Sequence, residues 1–171
     1  MPGFRWEPAG VKFGFSSNAP LPVFWFWFCY SKRMRQVAHT LTSETNGPGL
    51  YEITNRVVDW CQQQSIQEGL LTLFIRHTSA SLTIQENADP DVCHDLQVFF
   101  DRIAPQHGSY RHSAEGPDDM PAHIKSALTQ VQLTIPLQNG RPVLGTWQGI
   151  YVFEHRHHQH RRQVALHLLG E

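Results

Sequence analysis

Cysteine is scarce in this chain. Cys29, Cys61 and Cys93 are the only three in 171 residues, and they lie far apart with no C-x-x-C pair. That argues against a disulfide framework and against a thiolate zinc site, and it makes a reducing cytoplasm the simplest setting. A surplus of positive charge is also missing, since 14 Lys plus Arg stand against 15 Asp plus Glu, a formal net charge of −1. Gripping a nucleic-acid backbone needs excess cations, so no nucleic-acid partner is expected, although a local basic pocket is still compatible. The main apolar run, Leu21 to Tyr30, falls short of the about 20 residues of a membrane-spanning helix. No stable membrane span is expected. What the chain does have is histidine, 11 residues of it, the commonest metal ligand and the side chain that titrates near neutrality.

A chain of this length suits one domain that buries roughly 70% of its unfolded surface. The first 33 residues do not match the rest. They are rich in Pro and aromatic residues and show neither helical nor strand periodicity. Leu21 to Tyr30 has the length of a signal-peptide core, but Ser31-Lys32-Arg33 follows it where a small-x-small cleavage site belongs. A hydrophobic anchor or a trimer-stabilising arm is an alternative. We read residues 1–33 as an N-terminal extension, disordered or the product of an over-called start, with Met34 as the natural beginning and 34–171 as the domain.

Within 34–171, Gln36 to Glu44 reads as a strand broken by Asn46-Gly47-Pro48-Gly49. Ile53, Val57, Trp60 and Cys61 recur at helical spacing, which predicts a helix within Tyr51 to Gln67 and Cys61 as a small core residue. Leu70 to Ile75 has strand length, with Ser81 to Gln85 expected to pair beside it. Asp89 before Pro90 predicts an N-cap with proline at the first helical position. Val92, Leu96, Phe99, Phe100 and Ile103 then form one face, ended by Pro105. A shorter helix starts at Asp119-Met120-Pro121. Four strands close the chain, at Val131–Ile135, Pro142–Leu144, Ile150–Glu154 and Val164–Leu169, with a turn at Asn139-Gly140. Three helices with about seven strands indicate an α+β fold.

Four polar clusters interrupt these elements. Arg76-His77-Thr78-Ser79-Ala80-Ser81 ends a strand and offers hydroxyls with His77 as ligand or base. Glu86-Asn87-Ala88-Asp89-Pro90-Asp91, with Asp95 in the next helical turn, provides carboxylates. Asp89 and Asp91 are assigned to capping, whereas Glu86 and Asp95 are candidate ligands for Mg²⁺, which prefers oxygen. In the third cluster, His112 follows Tyr110-Arg111, and His123 lies in the first turn of the Asp119 helix with Lys125 beyond it. Convergence of His77, His112 and His123 would make a three-nitrogen site with an open coordination position, as reactive metals need. The fourth, Gly145-Thr146-Trp147-Gln148-Gly149, is either a close-approach loop or a bulge with Trp147 in the core. Glu154 to Arg162 is expected at a solvated hairpin tip. Its histidines bind metal adventitiously, and Arg156 is a candidate phosphate ligand.

Together these segments resemble the YjbQ family, small bacterial and archaeal proteins also called secondary thiamine-phosphate synthases. The resemblance is carried by His77-Thr78-Ser79-Ala80, Glu86-Asn87-Ala88-Asp89-Pro90-Asp91-Val92, Tyr110-Arg111-His112, Pro121-Ala122-His123-Ile124-Lys125 and Leu144-Gly145-Thr146-Trp147-Gln148-Gly149-Ile150, in that order. It implies an α+β sandwich-like fold, a homotrimer, a polar pocket near the subunit interfaces, and a metal-binding histidine set at His77, His112 and His123. It also implies a weak synthase activity joining a pyrimidine-methyl pyrophosphate to a thiazole phosphate. On that reading a divalent ion (Zn, or Mg or Mn) acts with Glu86, Asp95, Arg111 and Lys125, while Thr78, Ser79, Asn87, Trp147, Gln148 and Arg156 bind the phosphorylated metabolite. The rivals are a metal-dependent hydrolase with Glu86 or Asp95 as base, and a non-catalytic trimer that binds a small anionic metabolite.

Overall fold

The computed structural model describes residues 33–171; the readings made for residues 1–32 lie outside them. In chain order the elements are β1 (Arg35–Asn46), β2 (Gly49–Glu52), α1 (Thr54–Gln62), β3 (Gly69–Ile75), β4 (Ala80–Glu86), α2 (Pro90–Ile103), α3 (Asp119–Leu128), β5 (Gln132–Gln138), β6 (Arg141–Pro142), β7 (Gln148–Glu154) and β8 (Gln159–Gly170). The fold is α+β. A five-stranded sheet in the order β1-β8-β3-β5-β6 accompanies a three-stranded sheet in the order β2-β7-β4, and every pairing is antiparallel.

Strict alternation builds the larger sheet. Leu133, Ile135 and Leu137 of β5, and Val164, Leu166 and Leu168 of β8, point inward between exposed neighbours, as a period of two requires. They share one core with Leu71 and Leu73 of β3, Leu82 of β4, Ile150 and Val152 of β7, and Val57 and Cys61 of α1. Burial of each such aliphatic side chain contributes about 1.5–3 kcal/mol. The Cys61 thiol is pushed up to about 11 by burial, as suits an inert core residue. Asn139 (φ 51°) and Gly140 (φ 72°) make the tight β5–β6 turn, with the left-handed pair that matches strand twist.

β7 places the chemistry. From Gly149 to Glu154 it is buried throughout, because the core covers one face while Phe100 of α2 packs edge-on against Phe153 at 5.3 Å. Its register with β4 sets Ala80 opposite Glu154 at one end and Glu86 opposite Gln148 at the other. Six residues of strand, about 20 Å, separate these ends.

Several expectations are corrected and open alternatives decided. Glu154 to Arg162 is not a solvated tip, because Glu154, His155, Arg156 and Arg162 are buried, with the charges of Glu154, Arg156 and Arg162 paired, and β8 already begins at Gln159. Tyr51 is not helical: β2 pairs it with Val152, and α1 ends at Gln62, well short of Gln67. β4 does not lie beside β3 but against β7 in the other sheet, because β8 occupies that flank of β3. The α2 boundaries follow the cap, with Asp89 Oδ1 accepting the Asp91 N–H at 2.9 Å, yet none of its side chains is fully buried. Trp147 is not in the core but 62% exposed, on a turn closed by the Gln148 N–H to the Gly145 carbonyl. Gly149 is the close-approach position, since a Cβ there would meet Glu52 Oε1 at 2.8 Å.

Candidate metal centre

Asp119 opens α3, and His123 follows it four residues later on the same helical face. The loop before α3 folds His112 onto them. His112 Nε2 lies 2.6 Å and His123 Nε2 3.5 Å from Asp119 Oδ2, and the two rings are 5.5 Å apart. All three ligand atoms fall within 4.8 Å of one another, the single such grouping among the described residues. The imidazoles are partly open, at 45% and 33% side-chain exposure, whereas Asp119 is sealed at 2%. His123 Nδ1 lies 3.0 Å from the Thr78 carbonyl. A carbonyl only accepts, so Nδ1 carries a proton, and with an ion held at the cluster Nε2 would be the ligand nitrogen beside Asp119. Two nitrogens and one carboxylate suit Zn²⁺, Mn²⁺ or Fe²⁺ and suit all-oxygen Mg²⁺ poorly.

A buried layer of charge holds this cluster. Arg156 donates to Asp119 Oδ1 through Nη1, to Asp118 Oδ2 through Nε at 3.0 Å, and to the Glu115 carbonyl through Nη2 at 2.7 Å. Burial opposes ionisation of Asp118, but the His157 N–H and Arg156 outweigh it and hold the carboxyl below its usual range. Glu154, fully buried, accepts the backbone N–H groups of His155 and Arg156 at 3.0 Å each, the Thr45 hydroxyl at 2.7 Å, and Arg162 through Nε at 2.7 Å and Nη2 at 2.6 Å. Against its burial, these donors likewise hold its carboxyl low. His155 beside it is buried against Ser81 Oγ at 2.9 Å. Burial first, then Lys125, brings its pKa down to about 3, so it is neutral.

The structure therefore joins His112 and His123 with Asp119 and leaves His77 out. Both ring nitrogens of His77 already face its own chain, Nε2 accepting the Gln163 N–H at 2.8 Å and Nδ1 lying 3.4 Å from Arg162. Arg156 is not a free phosphate ligand, because its guanidinium is saturated by Asp118, Asp119 and Glu115. Lys125 is likewise held, at 2.5 Å from Asp101 of α2. Thr78 supplies its carbonyl to His123, and Ser79 lies at the tip of Arg162. Arg111 is exposed on the loop beside His112. Glu86, Asn87, Trp147 and Gln148 stand at the far end of β4 and β7, where Asn87 binds Glu52 and the Trp147 carbonyl, and Asp95 is exposed on α2. Asp119 was the member of this cluster missed by spacing aimed at histidine alone, although its four-residue step to His123 was readable. Glu154 and Arg162 gave only a weak signal, charge at the inner ends of apolar strands.

Comparison with known proteins agrees with this arrangement of strands and helices. Residues 39–171 match the family model described as UPF0047 protein YjbQ-like. A UPF0047 protein of Synechocystis is 51% identical over 138 residues, covering 80% of this chain and 94% of that protein. The UPF0047 protein YjbQ of Escherichia coli O157:H7 is 44% identical over 133 residues, covering 77% and 96%. Among solved structures, an uncharacterised YjbQ/UPF0047 protein from Clostridium acetobutylicum is 37% identical with a TM-score of 0.68, covering 76% of this chain and 97% of that one. A YbjQ-like protein of unknown function from Sulfolobus solfataricus shares the fold at a TM-score of 0.75 and 21% identity, covering 81% and 100%. By sequence and by fold, the chain belongs to the YjbQ-like UPF0047 family.

Proposed function

We propose that this protein is a divalent-metal-dependent enzyme for a small phosphorylated metabolite, with a coupling of the thiamine-phosphate synthase type as its reaction. The observation that carries the reading is the convergence of His112, Asp119 and His123, backed by Arg156. In that reaction the C–O bond to the diphosphate breaks, pyrophosphate leaves with the electron pair, and the thiazole nitrogen forms the new C–N bond. An ion held by the three side chains would supply Lewis-acid stabilisation of the charge on the departing phosphate. Arg156 fixes the orientation of Asp119 through Oδ1, the Thr78 carbonyl fixes the His123 tautomer, and exposed Arg111 offers a cation at the rim. The coupling needs no general base, which fits the position of Glu86 at the far end of β4.

A second reading, hydrolysis, is favoured by one group. Glu115 is 71% exposed, with its carboxylate 4.0 Å from Arg156 Nη1, and it is the nearby acid best placed to accept a proton from water. Self-association as a homotrimer belongs to the same proposal, because α2 leaves Val98, Phe99 and Ile103 exposed, a surface suited to a second copy. Sedimentation equilibrium checks it, with a monomer as the contrary result.

The test uses untagged protein. Metal content per chain is measured for wild type, His112→Ala, His123→Ala and Asp119→Asn, and retention of metal by all three variants overturns the centre. Pyrophosphate release and thiamine phosphate are then followed with both substrates and with each alone. Release that requires both supports coupling. Release from the pyrimidine diphosphate alone supports hydrolysis, and no turnover leaves the non-catalytic binder.

A further inference from the structure

Between α2 and α3 the chain runs through residues 105–117 without regular secondary structure, a length that is uncommon within a compact domain and usually marks a functional segment. The ends of this loop are anchored and its middle is not. Ala104 and Asp118, on either side, are buried, whereas none of residues 105–117 is. At one end Gln106 pairs with His157, and at the other the Glu115 carbonyl accepts from Arg156 at 2.7 Å. Both partners belong to the turn between β7 and β8.

Residues 107–114 curl on themselves. The Gly108 N–H and the Tyr110 hydroxyl both donate to the Pro105 carbonyl, at 3.3 and 3.0 Å, and the Tyr110 ring lies so close to Gly108 that a Cβ there would meet it at 2.5 Å. Among the described residues, His112 alone ties this stretch to anything outside the loop, through Asp119 Oδ2 at 2.6 Å and the ring of His123 at 5.5 Å. Asp119 and His123 do not depend on the loop, because both stand on α3, one gripped by Arg156 and the other by the Thr78 carbonyl. The cluster therefore has two fixed members on one helix and a third on a loop with no other hold. Without an ion, closure at His112 rests on one partly exposed imidazole–carboxylate contact. Exposed pairs of this kind contribute little, and a segment that buries nothing opens at small cost.

We infer that residues 107–114 form a clasp that a divalent ion fastens: an ion shared by His112, Asp119 and His123 holds the loop shut, and without one the loop opens at His112. An ion shifts such an equilibrium only as far as it binds the closed form better, and here the closed form supplies three side chains where the open form supplies two. Because Arg111 adjoins His112, fastening also fixes the rim cation beside the cluster, so that this charge is in place only in the loaded form. The inference rests on the metal centre of the proposed function and adds a conformational role for the ion that needs no turnover.

Trypsin reads the clasp, since it cuts after Arg111, which is exposed in the middle of the loop. The untagged full chain is digested with Zn²⁺ or with a chelator, and mass spectrometry follows the Arg111 cut against the cut after Arg33, also exposed, as an internal reference. Cleavage of a transiently open segment follows the open population. Zn²⁺ at about 100 times its dissociation constant should therefore slow the Arg111 cut tenfold or more and leave the Arg33 cut unchanged. In His112→Ala, at a Zn²⁺ concentration where metal content shows the variant loaded, the Arg111 cut should be as fast as with chelator. Hydrogen exchange on the wild type is the second measurement, and the protection gained with Zn²⁺ should concentrate in residues 107–114. Equal Arg111 rates in loaded and chelated wild type, protection that persists in loaded His112→Ala, or a gain in protection spread evenly over β5 and β8 overturns the clasp and leaves the metal centre standing. A wild type that takes up no Zn²⁺ overturns both.

Discussion

The two ends of the three-stranded sheet carry equally polar sequence and treat it in opposite ways. Where Ala80 faces Glu154, the charges of Glu154, Arg162, Arg156, Asp118 and Asp119 are buried and each meets an opposite charge with hydrogen bonds. Where Glu86 faces Gln148, Asn87, Trp147 and Gln148 lie exposed, tied mainly by turn and backbone contacts. Desolvated charges survive only when their partners are in place, so the first end is rigid and able to hold ligand side chains in fixed geometry. The second is a surface, available to a ligand or another copy, and contributes little to holding the fold.

The sharpest way to break this contrast is Glu154→Ala. It strands Arg162 and orphans two buried N–H groups, and urea unfolding should show a loss of about 3–5 kcal/mol. A loss below about 1 kcal/mol would mean water already reaches this end. Acid should act on the same end. His155 has a folded pKa of about 3 against an ordinary 6.5, so the unfolded chain takes up its proton first. Stability is therefore full above pH 6.5 and falls toward pH 3, by up to about 1.4 kcal/mol per pH unit. Glu154 and Asp118, held below their ordinary values of 4.5 and 3.8, add to the loss only as pH falls below those values. Unfolding measured between pH 4.5 and 7 should lose most of its slope in His155→Gln, and an unchanged slope would place the titration elsewhere.

Smaller effects sharpen the comparison. Arg156→Lys keeps a charge but loses the forked grip on Asp118 and Asp119. Metal affinity, read by competition with a chromogenic chelator, should drop about 10–100-fold. At the opposite end, Trp147→Ala should shift stability by no more than about 0.5 kcal/mol and leave metal content unchanged. A large loss in that variant would show that the exposed indole is covered in the working assembly.

Much of the fold was legible because its signals are local. The Asp89–Pro90 start of α2, the Asn139-Gly140 turn and the alternation of β5 and β8 all act within a few residues. The site was legible only in part. His112 and His123 were found as residue types, but His77 was grouped with them although the Gln163 N–H had already taken its Nε2, a contact 86 positions away in sequence. Arg156 looked free because Asp118 and Asp119, 38 and 37 residues before it, are invisible from a strand end. Trp147 seemed equally suited to core and surface because periodicity cannot choose a face in a turn.

The sequence by itself determined the classes of element, the family, and the stock of histidine and carboxylate from which a metal site is made. Each follows from composition or from interactions a few residues in range. Only the tertiary structure decided that Asp119 completes the cluster, that Arg156 and Glu154 support it from within, and that the Glu86 and Trp147 motifs lie about 20 Å of strand away. Those outcomes depend on the register of β4 against β7 and on which charges meet when water is excluded, and burial settles both across the whole chain at once.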